Sequence, residues 1–126
     1  MRSLPPITVS TPDRDRLYAL LDNQQGESEV IDLLYDELDR ADVVPPDALP
    51  ANVATLNSRV RFRNETSGKE HEVVLVMPRE VDQGPDRTSV LVPAGAALLG
   101  LKTGDSIDWP HKGKTLRLHL IDVVRN

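Results

Sequence analysis

The stretch PAGAALLGLKTGD, Pro93 to Asp105, decides how this chain folds. Two glycine-marked stops bracket one short run of helix formers, so the stretch reads as strand, tight turn, helical turn, reverse turn, strand. Pro93 has no N–H to give to a ladder and should stop a strand over Ser89 to Val92. Gly95 permits a positive φ or a close backbone approach. Ala96 to Leu99 should form the helical turn, and Gly100 falls where a helix C′ residue turns left-handed. Lys102 to Asp105 offers a second turn before a strand at Ser106 to Trp109.

Working outward, the downstream pattern has period two. Leu116, Leu118 and Leu120 alternate with Arg117 and His119, after a turn at His111 to Lys114. Ile121, Val123 and Val124 should continue that strand through a bulge. Upstream, Val60 and Phe62 alternate with Arg59, Arg61 and Arg63. A turn follows at Asn64 to Lys69, and Glu72 to Met77 is apolar enough for a central strand. Pro78 to Thr88 reads as a polar loop, and Ala51 to Ser58 as irregular chain or a short strand. About five antiparallel strands and one short helix make an α+β domain over residues 53–126.

The amino-terminal third has helical period. Pro5 and Pro6 block helix, and Ile7 to Val9 could add a strand. Ser10 or Thr11 can cap a helix with Pro12 just inside. Leu17, Leu20 and Leu21 then share one face, and Asn23 to Gly26 ends it. A second helix should run from Ser28 to Ala41. Ile31, Leu34, Leu38 and Ala41 form its apolar stripe, widened by Val30 and Tyr35, with Asp32, Asp36 and Asp39 opposite. The two helices should pair as an antiparallel hairpin within residues 1–44. Each is too short to be stable alone. Residues 45–52, with prolines at 45, 46 and 50, read as a linker.

Composition narrows the chemistry. The 126 residues suit one domain, or one with an appendage. Aromatic content is 3%, so there is little from which to build a base-stacking or flat-cofactor pocket. With no cysteine, disulfides and thiolate metal sites are excluded. No signal pattern or membrane-length apolar run occurs, so a cytoplasmic protein is expected. Net charge is −5: residues 1–44 carry ten acids and four bases, residues 45–126 ten acids and eleven bases. That balance argues against autonomous duplex binding.

No catalytic or metal residue is expected. His71, His111 and His119 are too scattered for a local ligand pair, and no serine lies in a nucleophile elbow. The P-loop spacing is missing as well. Arg59, Arg61 and Arg63 form a cationic stripe. It is read as an edge or exposed strand kept soluble by charge, with contact to nucleic acid or an acidic helix as the alternative. The hairpin tip holds Asp22, Gln24, Gln25 and Glu27. Its two ionisable groups, Asp22 and Glu27, are the pair that could hold a divalent ion.

Three separated segments carry a family resemblance: IDLLYDELDRADVVPPDALP (31–50), LNSRVRFRN (56–64) and VPAGAALLGLKTGDSIDW (92–109). In order and spacing they resemble the Gre-type transcript-cleavage factor superfamily of bacteria, and within it the regulator of nucleoside diphosphate kinase (Rnk) family. The resemblance spans nearly the whole chain. It implies an amino-terminal antiparallel coiled coil and an FKBP-like carboxy-terminal domain. It also implies a partner, RNA polymerase, with the carboxy-terminal domain docked on the rim of the secondary channel. The implied docking loop is Val92, Pro93, Ala94 and Gly95, with Val92 where cleavage factors carry serine. Those factors carry a tip Asp-x-x-Glu pair that helps to hold magnesium, a spacing absent from residues 1–44. A helix of about eleven residues is also only ~16 Å long. A polymerase-binding, non-cleaving regulator that competes with longer Gre-type factors is therefore expected. It should be monomeric and without a cofactor, with no sequence-specific nucleic-acid contact and an indirect link to the kinase. The alternatives are a cleavage factor using Asp22 and Glu27 with magnesium, and a generic interaction or dimerisation module. Prolyl isomerase activity is not expected, since only Phe62 and Trp109 could line an aromatic pocket.

Overall fold

Pro93 begins a helix rather than ending a strand. In the computed structural model, which describes residues 7–24 and 28–124, helix α3 covers Pro93–Leu98 with Pro93 in its first turn. A missing N–H costs nothing there. The strand before it is correspondingly shorter and earlier than expected, Arg87–Ser89 instead of 89–92. Gly95 provides the close approach: an added Cβ would lie 2.1 Å from the Ser89 carbonyl oxygen. Gly100 has φ +83° and takes the left-handed position after the helix.

Among the described residues, seven strands form two sheets. Strands β1 (Thr8–Ser10) and β2 (Asp42–Val44) make a small parallel pair. The main sheet is built from β3 (Arg59–Asn64), β4 (Glu70–Val76), β5 (Arg87–Ser89), β6 (Ser106–His111) and β7 (Lys114–Val124). Its order is β5-β4-β3-β7-β6. All pairings are antiparallel except at one edge, where β5 runs parallel to β4. Part of the expected polar loop is ordered as a 3-10 turn, Pro78–Gln83, that leads into β5. The β3–β7 register shifts between Arg61 and Phe62, which is the bulge near Ile121. The 111–114 turn places Lys112 and Gly113 at φ +52° and +76°, the signs a two-residue hairpin loop requires.

The helices are α1 (Thr11–Asp22) and α2 (Glu29–Arg40). Ser10 caps α1, its hydroxyl accepting from the Asp13 N–H at 3.3 Å. Leu17 and Leu21 are buried and Leu20 half-buried, as the spacing predicts. On α2 the buried line is Val30, Leu34, Glu37 and Leu38, while Ile31 and Tyr35 are half-buried. The stripe is thus rotated from the expected one and takes in a carboxylate. The three residues just before the expected linker form β2, which ties to the amino-terminal arm: the Asp42 N–H donates to the Ile7 carbonyl at 2.9 Å. Pro5, Pro6, Gln25, Gly26 and Glu27 lie outside the described residues.

One core serves both parts of the chain. Trp109, Leu75, Leu98, Leu101, Ile107, Leu118 and Leu120 join Leu17, Leu21, Leu34 and Leu38 in a single buried cluster. Burying one such leucine contributes ~1.5–3 kcal/mol. The Thr8 N–H donates to the Gly100 carbonyl at 3.1 Å, and the Lys112 N–H to Glu29 Oε1 at 3.1 Å, so the hairpin is pinned at both ends.

Candidate functional site: the loop before helix α3 and the hairpin

The loop entering α3 is short and tightly tied. Val90 N–H donates to the Val76 carbonyl at 3.0 Å and Val92 N–H to the Ser89 carbonyl at 3.2 Å. The Ser89 hydroxyl accepts from Leu91 N–H at 3.0 Å. With Gly95 pressed on Ser89, these bonds fix where residue 92 points. Val92 is 43% exposed, Pro93 and Ala94 are half-buried, and Gly95 is buried. Among the described residues, Val92 and Val124 are the large apolar side chains left in solvent.

The hairpin is fastened by two reciprocal hydrogen bonds. The Tyr18 hydroxyl donates to Asp39 Oδ1 and the Tyr35 hydroxyl to Asp22 Oδ1, each at 2.5 Å. The tyrosine rings lie 6.2 Å apart. Tyrosine precedes aspartate by four residues on each helix, and the first residue of one pair bonds the second of the other, so the pairing is antiparallel. Asp22 therefore has a defined partner, and its bonded carboxylate pushes Tyr35 up to about 12. The Asp39 bond likewise raises Tyr18. This clasp was not foreseen. The signal for it was the matched spacing of Tyr18/Asp22 and Tyr35/Asp39. Gln24 is exposed, and its side chain donates to the Leu20 carbonyl at 3.1 Å. Gln25 and Glu27 are outside the described residues, so a pairing of Asp22 with Glu27 is not on view. Among the described residues, no group of three or more His, Asp or Glu side chains could hold a metal ion.

One buried and one half-buried acid flank this region. Glu37 is 2% exposed and accepts from Arg40 Nη2 at 3.2 Å, yet burial raises its carboxyl above the ordinary range. Burial also raises Asp13, against a lowering from the Leu56 backbone and Arg16.

Arg59, Arg61 and Arg63 lie on the outer face of β3, which is the middle strand of five and not an edge. Arg61 pairs across to Glu72 and Asp122, and Arg63 to Glu70 and His119. Arg59 lies 3.9 Å from Glu72 and Arg63 3.2 Å from Glu65. The stripe is interleaved with carboxylates, which explains its exposure without a polyanionic ligand.

Comparison with known proteins decides the family. The family description "Transcription elongation factor, GreA/GreB, C-term" matches residues 49–125, and "Rnk N-terminus" matches residues 5–44. The chain belongs to the Rnk branch of the GreA/GreB family. It is 40% identical to the regulator of nucleoside diphosphate kinase of Escherichia coli over 112 residues, 88% of this chain and 82% of that protein. It is 30% identical to transcription elongation factor GreA of Thermotoga neapolitana, over 85% of this chain and 69% of that one. A solved GreA/GreB structure from Nitrosomonas europaea superposes with a TM-score of 0.75 at 43% identity, covering 95% of this chain and 98% of the other. The α+β architecture with amino-terminal helices is therefore that of an Rnk-type Gre factor. No helix among the described residues is long and apolar enough to cross a membrane.

Proposed function

We propose that this chain is an RNA polymerase-binding transcription regulator that docks at the secondary-channel rim and does not stimulate transcript cleavage. The observation that carries the reading is Val92: an exposed apolar residue on a tied loop, inside the region that matches the GreA/GreB carboxy-terminal family. Val92, Pro93 and Ala94 supply the contact, and Gly95 lets the loop lie against Ser89. The hairpin supports the non-cleaving half of the reading. Helix α1 has 12 residues and so spans only about 18 Å. Asp22 is held by Tyr35, and residues 1–44 contain no Asp-x-x-Glu spacing. The regulator then acts by occupation, excluding longer coiled-coil factors from the same channel. We take the kinase link in the name of the Escherichia coli relative as indirect, and the working form as a monomer in the cytoplasm.

A transcript-cleavage assay on a backtracked elongation complex tests this. The chain alone releases no 3′ fragment, and added in excess it slows cleavage driven by a longer Gre factor. Fragments released by the chain alone, and lost in D22N, would establish the cleavage reading instead.

A further inference from the structure

Between the hairpin and the main sheet lies a shallow groove of about 340 Å³ that the docking loop does not use. It is lined by Arg16, Ala19, Leu20 and Asn23 of the first helical segment, and by Met77 and Arg79 at the start of the 3-10 turn. The floor is aliphatic. Leu20 and Met77 are half-buried and pack on the core, and Ala19 is exposed beside them. Both arginines are exposed. The nearest carboxylate to Arg16 is that of Asp13, at a loose 3.9 Å, with the arginine side chain 61% exposed. Arg79 makes no ion pair among the described residues. The arginines on β3 differ, because carboxylates stand opposite them across the sheet. Two under-neutralised guanidinium groups flanking an apolar floor are a local reversal in a chain of net charge −5.

We propose that this groove receives an acidic amphipathic helix of a partner protein. Its apolar side chains cover Leu20 and Met77, and its carboxylates pair with Arg16 and Arg79. Arginine suits this role because its planar fork binds a carboxylate through two parallel hydrogen bonds. Protein is favoured over single-stranded nucleic acid because the groove has no aromatic ring on which a base could stack. The proposal is independent of the polymerase-docking reading, since it concerns different residues.

The test is an NMR titration of the isotope-labelled 126-residue chain with two synthetic helical peptides, one built of leucine and glutamate and the other of leucine and lysine. The glutamate peptide should shift the resonances of Arg16, Ala19, Leu20, Asn23, Met77 and Arg79 and leave those of Val92 and Ala94 unmoved. The double variant R16E/R79E changes two exposed side chains, and an unchanged melting curve checks its fold. It should bind that peptide roughly tenfold more weakly or worse, because like charges then face each other. Three results would overturn the proposal: no shift at the groove, equal binding of the lysine peptide, or binding unchanged in R16E/R79E. Tighter binding of a single-stranded RNA oligonucleotide at the same residues would replace the protein partner by nucleic acid. Groove shifts that follow protein concentration without peptide would replace it by a second copy of the chain.

Discussion

A methyl group at position 95 has nowhere to go: it would meet the Ser89 carbonyl oxygen at 2.1 Å, and backbone cannot yield as a flexible side chain can. Gly95→Ala should therefore destabilise the protein by ~2–4 kcal/mol, read as a lowered urea midpoint, because it pushes α3 off the end of β5. Gly104→Ala provides the comparison. Its φ is +94° but nothing lies within 4 Å, so only the left-handed backbone cost of ~1–2 kcal/mol applies. Glu37 makes a second residue-scale prediction. Burial raises its folded-state pKa, so its proton is bound more tightly in the folded chain. The stability this contributes is complete below the ordinary carboxylate pKa and is lost as pH rises through the raised value. Glu37→Gln removes that titration. Stability of the natural chain relative to E37Q should fall as pH is raised from acid to neutral. A difference that stays constant with pH would place the carboxyl in an ordinary environment.

At the scale of elements, the paired Tyr–Asp bonds hold the hairpin in register. Asp22→Asn replaces the carboxylate whose hydrogen bond, aided by its charge, pushes Tyr35 up to about 12, so the phenolate absorbance should appear at lower pH than in the natural chain. The sign follows from linkage. The raised tyrosine pKa stabilises the hairpin below about pH 10 and ceases to do so as pH climbs through the raised value. Identical absorbance titrations for the two proteins would mean the bond does not persist in solution. The elements themselves were legible because each leaves a local pattern. Leu17, Leu20 and Leu21 repeat at helical spacing; Val60 with Phe62, and Leu116 with Leu118 and Leu120, repeat every second residue. What escaped was relational. Three residues of β5 carry no signal of direction, so its parallel pairing with β4 was hidden. Alternation in β3 shows that one face is exposed, not that strands flank it on both sides. The α2 stripe was misplaced because Val30 and Ile31 are equally apolar, and only packing against α1 and α3 selects the line that buries Glu37. At the proposed docking loop, Val92 was identified by resemblance, whereas its exposure and the bonds that tie it needed coordinates.

For the whole molecule, the buried cluster runs without a break from the hairpin leucines to Trp109, so the hairpin cannot be repositioned without opening the core. That rigidity suits a factor acting by occupation. The exposed Val92 and the short α1 are then held in one fixed relation, and whatever binds the loop also positions the hairpin. The groove between Arg16 and Arg79 adds a second surface to the same rigid body. The central claim is competition for the polymerase, and gel filtration of the purified chain with core RNA polymerase, followed by titration with a longer Gre-type cleavage factor, tests it most directly. The account predicts co-elution with the core enzyme, weakened by V92D, and progressive release as the cleavage factor is added. Separate elution of the natural chain, or a complex that holds both factors at once, would contradict it.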